Sequence, residues 1–439
     1  MKEPALGADH ALRIVGGSSL AGRICVSGSK NAALPEMAAA LLTSHPVTLR
    51  NVPRVTDTAV MAEILNGLGG RVQGQGVVTL EMDGARDHHV KDELGRRMRA
   101  TILMLGALLG RFGHARVPRP GGDDIGARRI EQHLRGLRQM GARITETDAE
   151  IVAEADRLRG NRIVFDLPTV TGTENIVLAA VLAEGRTEVF NAAREPHVQD
   201  LCVLLEKMGA RIEGIGTERL VVDGVRELGG AEHTVIADYL EAGTYAIAAA
   251  AVGGELHIDC SRPEDLPVVL LKLEQAGAHV ETGDGWFRVG RKPSTTLRPI
   301  DMSTWTFPGF PTDLQAQYMA LMTQADGEAV ISEYVHENRF QHVHELAKMG
   351  AGISVQGRIH AVVHGPCRLH GTDVTIPDIR SGAALVIAAM CAEGESLLRS
   401  AWHVDRGYED MAGKLASVGA RIESVSVEAP SAGSNHTYE

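Results

Sequence analysis

The sequence has few aromatic residues and too little positive charge to balance its acids. Trp, Tyr and Phe contribute only 3, 6 and 7 of the 439 residues, which disfavours a platform that stacks single-stranded nucleic acid. The formal net charge is −12 at pH 7 with histidine neutral, so the overall field repels phosphates and acidic lipids. We therefore predict no nucleic-acid partner and no membrane partner. Any anionic ligand must be held by locally clustered Arg and Lys.

Cysteines are scarce, and long apolar runs are missing. The five cysteines are odd in number, lie far apart and form no C-x-x-C pair, a pattern typical of free thiols in a reducing compartment. Residues 1–17 lack the apolar stretch of a secretory signal, and no run approaches the roughly 18 apolar residues of a spanning helix. These absences predict a cytoplasmic protein.

The sequence signatures of several enzyme classes are also missing. It contains no G-x-x-x-x-G-K-[ST] segment, no complete dinucleotide fingerprint, no HExxH and no G-x-S-x-G. These absences argue against P-loop nucleotide hydrolysis, a Rossmann dehydrogenase, zinc proteolysis and a hydrolase nucleophile elbow. We predict no metal and no cofactor.

One short phrase, MGARI or a close variant, occurs six times along the chain. Its occurrences are separated by 68 to 73 residues, too long for the common helical solenoids. Each follows an amphipathic stretch and precedes a β-branched run, so the glycine is predicted to end a helix that leads into a strand. The shared glycines are Gly69, Gly141, Gly209, Gly277, Gly350 and Gly419.

A second kind of helix is predicted in every unit, before the phrase. It is rich in alanine and apolar nearly all round, as in ATILMLGALLG and TYAIAAAAVGG, and a helix without a polar face must be buried. Each unit thus contains a buried helix, an outer helix and strands. Six units of about 70 residues predict an α/β protein with two pseudo-symmetric domains of three units each.

Polar residues open these buried helices in register. Helix N-termini carry a partial positive charge, so six of them around one cleft would attract anions. Lys and Arg oppose this dipole and make poor caps, which favours a ligand role for Lys30, Arg99 and Arg380, whereas capping is favoured for Thr173, Glu174 and Glu241. The residues in register are Lys30 (with Asn31), Arg99, Glu174 (with Thr173), Glu241, Asp313 and Arg380.

A glycine-rich loop, PGGDDIGAR (120–128), precedes the outer helix of the second unit. Such loops allow close backbone approach to a ligand and suit a lid. If the side chains of Asp123 and Asp124 converge in a partly dry site, one of them keeps its proton near neutral pH and can serve as a general acid. The alternative is a solvated turn.

Several long segments resemble the enolpyruvyl transferases, above all the branch acting on UDP-N-acetylglucosamine in peptidoglycan synthesis. The sister branch acting on shikimate 3-phosphate typically has Ser after the lysine of GSK, so Asn31 favours the amino-sugar branch. The resemblance covers about residues 11–425. Its segments are LAGRICVSGSKNAALP (20–35), RRMRATILMLGALLGRFG (96–113), PGGDDIGAR (120–128), LAEGRTEVFNAAREP (182–196), FPTDLQAQ (310–317), ENRFQHVHELAKMGA (337–351) and HVDRGYEDMAGKLASVGA (403–420).

The resemblance implies a two-domain inside-out α/β barrel of six repeats that closes on its substrates. One domain would comprise residues 31–237 and carry the lid loop, and the other residues 1–30 plus 238–426. Residues 427–439 would form a disordered tail.

The resemblance also implies the reaction. The enolpyruvyl group of phosphoenolpyruvate would pass to the 3′-hydroxyl of UDP-N-acetylglucosamine with release of phosphate, the first committed step of peptidoglycan synthesis, which supports cell shape and division. Asp123, Asp313, Lys30 and Arg406 would be catalytic, with Asp313 as base for the hydroxyl. The substrate-binding residues would be Lys30, Asn31, Arg99, Arg128, Asp313, Val335, Arg339, Arg380 and Arg406.

Two departures from the family pattern leave alternatives open. Asp123 stands where the family usually has a lid cysteine, a known alternative that keeps an acid and removes the thiol alkylated by fosfomycin. The uridine-contacting segment is changed at Arg129, Glu131 and Gln132, and a small-residue position is Thr171. An enolpyruvyl transferase acting on another nucleotide or on shikimate 3-phosphate is therefore the enzymatic alternative. A six-repeat clamp or scaffold is the non-enzymatic one.

Overall fold

The computed structural model describes residues 10–292 and 294–426. The strands are β1 (His10–Val15), β2 (Leu20–Cys25), β3 (Val47–Arg50), β4 (Arg71–Gln75), β5 (Val77–Glu81), β6 (His114–Pro118), β7 (Arg143–Glu146), β8 (Glu150–Glu154), β9 (Arg162–Val164), β10 (Arg186–Phe190), β11 (Arg211–Glu213), β12 (Arg219–Asp223), β13 (Ala231–Thr234), β14 (Gly254–Asp259), β15 (His279–Gly283), β16 (Trp286–Arg291), β17 (Met302–Ser303), β18 (Gly327–Ser332), β19 (Gly352–Gln356), β20 (His360–Gly365), β21 (Asp373–Thr375), β22 (Glu395–Arg399) and β23 (Arg421–Ser426).

The α-helices are α1 (Lys30–Ala39), α2 (Thr56–Gly67), α3 (Asp92–Gly95), α4 (Leu103–Phe112), α5 (Glu131–Gln139), α6 (Val170–Ala180), α7 (Pro196–Lys207), α8 (Tyr239–Val252), α9 (Pro267–Ala276), α10 (Gln315–Met322), α11 (His342–Lys348), α12 (Ile379–Cys391), α13 (Trp402–Asp405) and α14 (Met411–Ser417). Short 3-10 turns lie at Ala40–Leu42, Arg99–Ile102, Pro263–Asp265 and Thr312–Leu314. None of the helices in the described part of the chain is long and apolar enough to cross a membrane.

The predicted α/β organisation is confirmed by six small sheets and six apolar helices. The helices α1, α4, α6, α8, α10 and α12 are almost wholly buried. Small residues let them pack closely: a Cβ on Gly106 of α4 would lie 2.2 Å from the carbonyl oxygen of Asn175 in α6. The sheet orders are β13-β3-β5-β4, β6-β8-β7, β11-β12-β10-β9, β15-β16-β14-β2, β17-β18-β20-β19 and β21-β22-β1-β23. The inside-out barrel arrangement stays a prediction.

The six glycines of the repeated phrase have the conformation predicted for helix ends. Their φ angles lie between 96 and 108°, in a region that L side chains rarely adopt. The side-chain caps of the buried helices, by contrast, lie just before the residues that the sequence singled out. Ser29, Thr169, Asp238 and Asp378 accept hydrogen bonds from first-turn N–H groups, so the capping interpretation of Thr173, Glu174 and Glu241 is wrong.

Buried apolar residues form two separate cores. The first core draws on residues 32–235, and the second on residues 12–26 and 239–422. The chain passes between them twice, and the two passages are hydrogen-bonded side by side. Ser29 N donates to Ile236 O over 2.7 Å, and Asp238 N donates to Ser27 O over 2.9 Å. The predicted tail, 427–439, lies outside the described residues.

The expectation of five free thiols is wrong for two of them. Cys25 and Cys260 are joined by a disulfide, with their Cα atoms 5.4 Å apart. The pairing follows from strand register, because β2 and β14 are parallel neighbours and Cys25 lies opposite Asp259. A separation of 235 residues hid this contact from the sequence pattern. Cys202, Cys367 and Cys391 are free.

Candidate active site

Lys30 and Arg406 share the buried carboxylate of Asp57. Lys30 Nζ lies 3.2 Å from Asp57 Oδ2, and Arg406 Nε lies 3.1 Å from Asp57 Oδ1. Arg406 also donates through Nη1 to Asp123 Oδ1 over 2.6 Å. We call these four residues the Asp123 cluster. Because Arg406 belongs to the second core and the other three to the first, the cluster joins the two.

Helix ends position the members of this cluster. Lys30 is the first residue of α1, directly after the capping Ser29. Asp57 lies in the first turn of α2, where a carboxylate is favoured by the helix dipole. Arg406 follows the short helix α13. Lys30 therefore lies at a helix start, where the sequence placed it, whereas Arg406 lies at the end of a helix.

Two further arginines lie nearby, Arg128 in the lid loop and Arg99 in the 3-10 turn before α4. Arg128 has a positive φ of 40°, and its Nη1 donates to the carbonyl oxygen of Asp123 over 3.3 Å. Arg99 Nη2 donates to the carbonyl oxygen of Arg128. Burial, reinforced by the charge of Arg128, lowers the pKa of Arg99 to about 10. Two guanidinium groups are thus held close together, an arrangement that favours binding of an anion.

The side chains of Asp123 and Asp124 do not converge, so the condition under which one of them would keep its proton is not met. The side chain of Asp124 is exposed, whereas Asp123 turns inward toward Arg406. Burial alone would raise the pKa of Asp123, but the charges of Arg406, Lys30 and Arg128 outweigh it and hold the pKa below its usual range. Asp123 is therefore a carboxylate at neutral pH in this arrangement.

The lid loop is fastened to residues 337–341 of the second core. Glu337 Oε1 accepts a hydrogen bond from Ala127 N at 2.8 Å. Asn338 Nδ2 and Gln341 Nε2 both donate to the carbonyl oxygen of Asp124, over 3.3 and 2.5 Å. A Cβ on Gly126 would lie 2.5 Å from Glu337 Oε2, so glycine is needed for this close approach.

A second ionic group, which we call the Asp313 cluster, contains Asp313, Arg339 and Arg380. Arg339 Nη2 lies 2.7 Å from Asp313 Oδ1, and Arg380 Nη2 lies 3.2 Å from Asp313 Oδ2. Burial would raise the pKa of Asp313, but the two guanidinium groups hold it far below its usual range. Arg380 Nη1 is buried and has no hydrogen-bond partner among the described residues.

Arg128 and His336 lie between the two clusters. Asp123 and Asp313 both act electrostatically on Arg128. His336 is held neutral, because burial and the charges of Arg339 and Arg128 lower its pKa to about 3. The two clusters are therefore neighbours, and the region where they meet, which we call the shared cleft, contains two ionised carboxylates and several cations.

A protein-family model describing EPSP synthase (3-phosphoshikimate 1-carboxyvinyltransferase) matches residues 14–415 of the chain. The chain belongs to this family. It is accordingly an enzyme, a carboxyvinyl (enolpyruvyl) transferase. The alternative of a six-repeat clamp or scaffold is therefore excluded.

Solved structures agree with this family. The enolpyruvyl transferase NikO from Streptomyces tendae is 26% identical, with a TM-score of 0.85 over 96% of this chain and 100% of its own. One structure of EPSP synthase from Acinetobacter baumannii is 18% identical, with a TM-score of 0.71 over 95% of this chain and 100% of its own. A second structure of that enzyme has the same identity and TM-score over 94% and 99%. These last two support the fold.

The structure brings six of the predicted site residues of this transferase into the two ionic clusters. Lys30, Arg406 and Asp123 contact one another directly or through Asp57, and Asp313, Arg339 and Arg380 form the second cluster. Asn31 is half-buried beside Lys30. Val335 is 37% exposed, and its N–H donates to Glu333 Oε1 over 2.8 Å. The roles assigned to these residues stay predictions.

Sequence reasoning missed Asp57 and the residues that fasten the lid. Asp57 is an acid in the first turn of an amphipathic helix, which the sequence does not distinguish from an ordinary helix-dipole partner. Glu337, Asn338 and Gln341 lie in a segment that the family resemblance included, although its contact with the lid loop has no local signal. Thr312 was also missed. Its Oγ1 accepts from Arg339 Nη1 at 2.8 Å and donates to Glu333 Oε2 at the same distance.

Proposed function

We propose that this transferase moves the enolpyruvyl group of phosphoenolpyruvate to the 3′-hydroxyl of UDP-N-acetylglucosamine and releases phosphate. The observation that carries the proposal is the ion pair of Arg406 with Asp123, which Lys30 joins through Asp57 and beside which Arg128 lies, in the neighbourhood of Asp313. Phosphoenolpyruvate carries a phosphate and a carboxylate, and guanidinium groups bind both in bidentate fashion. The Asn31 that follows Lys30 supports an amino-sugar acceptor.

Binding of phosphoenolpyruvate would change the state of Asp123. Its phosphate competes with Asp123 for Arg406 and adds negative charge nearby, and both effects raise the pKa of a carboxyl group. Asp123 then gains the proton that it lacks when paired with Arg406. It donates this proton to C3 of the enolpyruvyl group.

Asp313 is proposed as the base on the other side. It is ionised, and it takes the proton of the 3′-hydroxyl as that oxygen attacks C2 of the enolpyruvyl group. Its pairing with Arg339 and Arg380 weakens it as a base, so engagement of these arginines by acceptor phosphates would raise its basicity. The tetrahedral ketal then returns a proton from C3 to the Asp123 carboxylate and expels phosphate, which leaves the enol ether.

Another nucleotide is the second candidate acceptor. The changed uridine segment is occupied by internal contacts: Gln132 Oε1 accepts from Asp166 N at 2.6 Å, and Thr171 Oγ1 lies 3.4 Å from His133 Nε2.

The deciding experiment measures phosphate released from phosphoenolpyruvate with UDP-N-acetylglucosamine, UMP or shikimate 3-phosphate. Release with UDP-N-acetylglucosamine is expected. Release with UMP alone or shikimate 3-phosphate alone would exclude the proposed acceptor. The Asp313→Ala variant, assayed alongside with each acceptor, identifies release that depends on the cleft.

A further inference from the structure

The buried carboxylate of Glu333 takes no part in the reaction proposed above. Glu333 directly follows β18 and is 0% exposed. Its Oε1 accepts hydrogen bonds from Val335 N over 2.8 Å and from His336 N over 3.0 Å. Burial of a carboxylate is costly unless donors surround it. The backbone that carries Val335, a predicted acceptor-binding residue, supplies two of these donors.

Two threonines donate their hydroxyl groups to opposite oxygens of this carboxylate. Thr304 Oγ1 donates to Oε1 over 2.9 Å, and Thr312 Oγ1 donates to Oε2 over 2.8 Å. Between the two threonines, the chain forms a loop that is closed by a hydrogen bond from Trp305 N to Phe310 O over 2.9 Å. The carboxylate therefore holds both ends of this loop, which we call the 304–312 loop.

The tip of the 304–312 loop contacts the other core. Arg194 Nη2 donates to the carbonyl oxygen of Phe307 over 2.9 Å, and Phe307 N donates to Glu195 Oε1 over 3.3 Å. Arg194 and Glu195 directly precede α7, which packs in the first core. A displacement of the first core would therefore pull on this loop, and Asp313 is the next residue of the chain.

Thr312 also fixes an arginine of the Asp313 cluster. A threonine hydroxyl has one hydrogen and two acceptor sites. The hydrogen of Thr312 is committed to Glu333, and its oxygen accepts from Arg339 Nη1 over 2.8 Å. Arg339 Nη2 in turn lies 2.7 Å from Asp313 Oδ1. An unbroken series of hydrogen bonds thus connects Glu333 to Asp313.

The direction of these hydrogen bonds requires a carboxylate at position 333. A carboxylate only accepts, and both threonine hydroxyls and both N–H groups donate to it. An amide in its place would present a nitrogen that only donates, so at least one of these donors would lose its acceptor. If Thr312 turned its hydrogen away from the amide, that hydrogen would face Arg339, which has no acceptor.

We propose that Glu333 is a positioning residue, which holds Arg339 and Asp313 through Thr312 in the geometry that deprotonates the acceptor hydroxyl. Because one carboxylate fixes both ends of the 304–312 loop, the tip can follow the first core while Asp313 stays in place. Glu333 itself touches no substrate. This inference deepens the proposed function and rests on the role of Asp313 as base.

The first test compares Thr312→Val, which removes the hydroxyl at nearly constant volume, with Thr312→Ser, which keeps it. Thr312→Val should lower kcat roughly tenfold and Thr312→Ser by less than about threefold, because small displacements of reacting groups are costly. The KM for phosphoenolpyruvate should not change in either variant. Equal kcat values in the two variants would overturn the proposal.

Thr323→Val is the matched control for the loss of a buried hydroxyl. Thr323 is 0% exposed and directly follows α10. Its hydroxyl donates to the carbonyl oxygen of Ala320 over 2.7 Å, away from the Asp313 cluster. This variant should keep the kcat of wild type, and a fall equal to that of Thr312→Val would overturn the proposal.

A double-mutant cycle shows whether Glu333 acts through Thr312. Glu333→Gln keeps the shape of the side chain and should lower kcat roughly tenfold. If both residues act along one series of hydrogen bonds, the double variant with Thr312→Val should fall no more than about threefold below either single variant. Independent effects would multiply to roughly 100-fold, and that result would overturn the proposal.

The acceptor in these assays is the compound that supports phosphate release by wild type. If it is not UDP-N-acetylglucosamine, the proposed acceptor is wrong, and the same kcat comparison still decides the role of Glu333. If UDP-N-acetylglucosamine is active and the kcat pattern is absent, the proposed function stands and this inference fails. Near-normal turnover in Asp313→Ala would overturn the inference together with the proposed base.

Discussion

The Asp123 cluster and the Asp313 cluster use the same chemistry in different architectural settings. Both surround an ionised aspartate with arginines. The Asp123 cluster joins residues 349 and 283 positions apart, from the two cores, whereas the Asp313 cluster lies within the second core and spans at most 67 positions. The first therefore requires the cores to meet, and the second is complete without that contact. We expect movement of the cores to control phosphoenolpyruvate binding and to leave the proposed base in place.

The largest effect on activity is expected in the Asp313 cluster, which is complete within the second core. Asp313→Ala removes the proposed base, and positioned acids and bases typically contribute roughly 10²- to 10⁴-fold. We expect kcat to fall by at least about 10²-fold, as measured by steady-state phosphate release. The exposed Asp284→Ala is the matched control. Near-normal turnover in a folded Asp313→Ala enzyme removes Asp313 from the reaction.

Substitutions of Asp123 test the Asp123 cluster, which joins both cores. Asp123→Asn keeps the shape but cannot donate a proton to C3, so activity should fall by roughly 10²-fold. Asp123→Cys should retain some activity and become sensitive to fosfomycin, because a thiolate attacks epoxides far better than a carboxylate. Intact mass spectrometry should detect the adduct in Asp123→Cys alone. A stable adduct on wild type, or full activity in Asp123→Asn, would contradict this role.

Glu337→Ala should have a smaller effect on activity, and this effect should be confined to the Asp123 cluster. It deletes the carboxylate that accepts from Ala127 N, a contact at the rim worth about 1 kcal/mol. We expect a several-fold rise in the KM for phosphoenolpyruvate, little change in the acceptor KM, and faster proteolysis of the lid loop. Glu227→Ala provides the control, because Glu227 is an exposed acid in the part of the chain that forms the first core. A fall in kcat without a change in the KM for phosphoenolpyruvate would contradict the prediction, because it would show that the Asp123 cluster does not depend on the contact between Glu337 and the lid loop.

The smallest expected effect is a difference between the pKa values of Asp123 and Asp313 when phosphoenolpyruvate binds. The pKa of Asp123 is lowered in the fold, so its ion pair stabilises the protein above the unfolded pKa of about 3.9, and this contribution is lost as the pH falls through the folded value. Asp123→Asn should therefore lose less stability than wild type on acidification. Carbon-13 NMR of aspartate carboxyls should show phosphoenolpyruvate alone raising the pKa of Asp123 and leaving that of Asp313 unchanged. Equal shifts at both residues would contradict the comparison.

The features that the sequence predicted well are those that recur along the chain. The six glycines and the apolar helices repeat at nearly constant intervals, so each supports the others, and the register of helix starts pointed to Lys30, Arg99, Asp313 and Arg380. Local periodicity carries this information because helix packing is set within each unit.

Contacts that occur only once were not predictable in this way. Asp57 meets Arg406, and Cys25 meets Cys260, only after distant units pack together. The charge state of Asp123 depends on a contact of the same kind: the adjacent Asp124 is visible in the sequence, whereas the influence of Arg406 comes from 283 residues away. The fastening of the lid by Glu337 also depends on how the two cores face each other.

The place of β1 in its sheet bears on how the chain is made. This strand, at residues 10–15, pairs with β22 and β23, which leave the ribosome more than 370 residues later. Domains generally fold as units during synthesis, and the first core is complete once about residue 235 has emerged. The strand β1 must then wait unpaired beside a finished neighbour until β22 and β23 appear, whereas β2 pairs earlier with β14. Premature truncation near the C-terminus should consequently yield a protein with an intact first half and an exposed, aggregation-prone strand at its beginning.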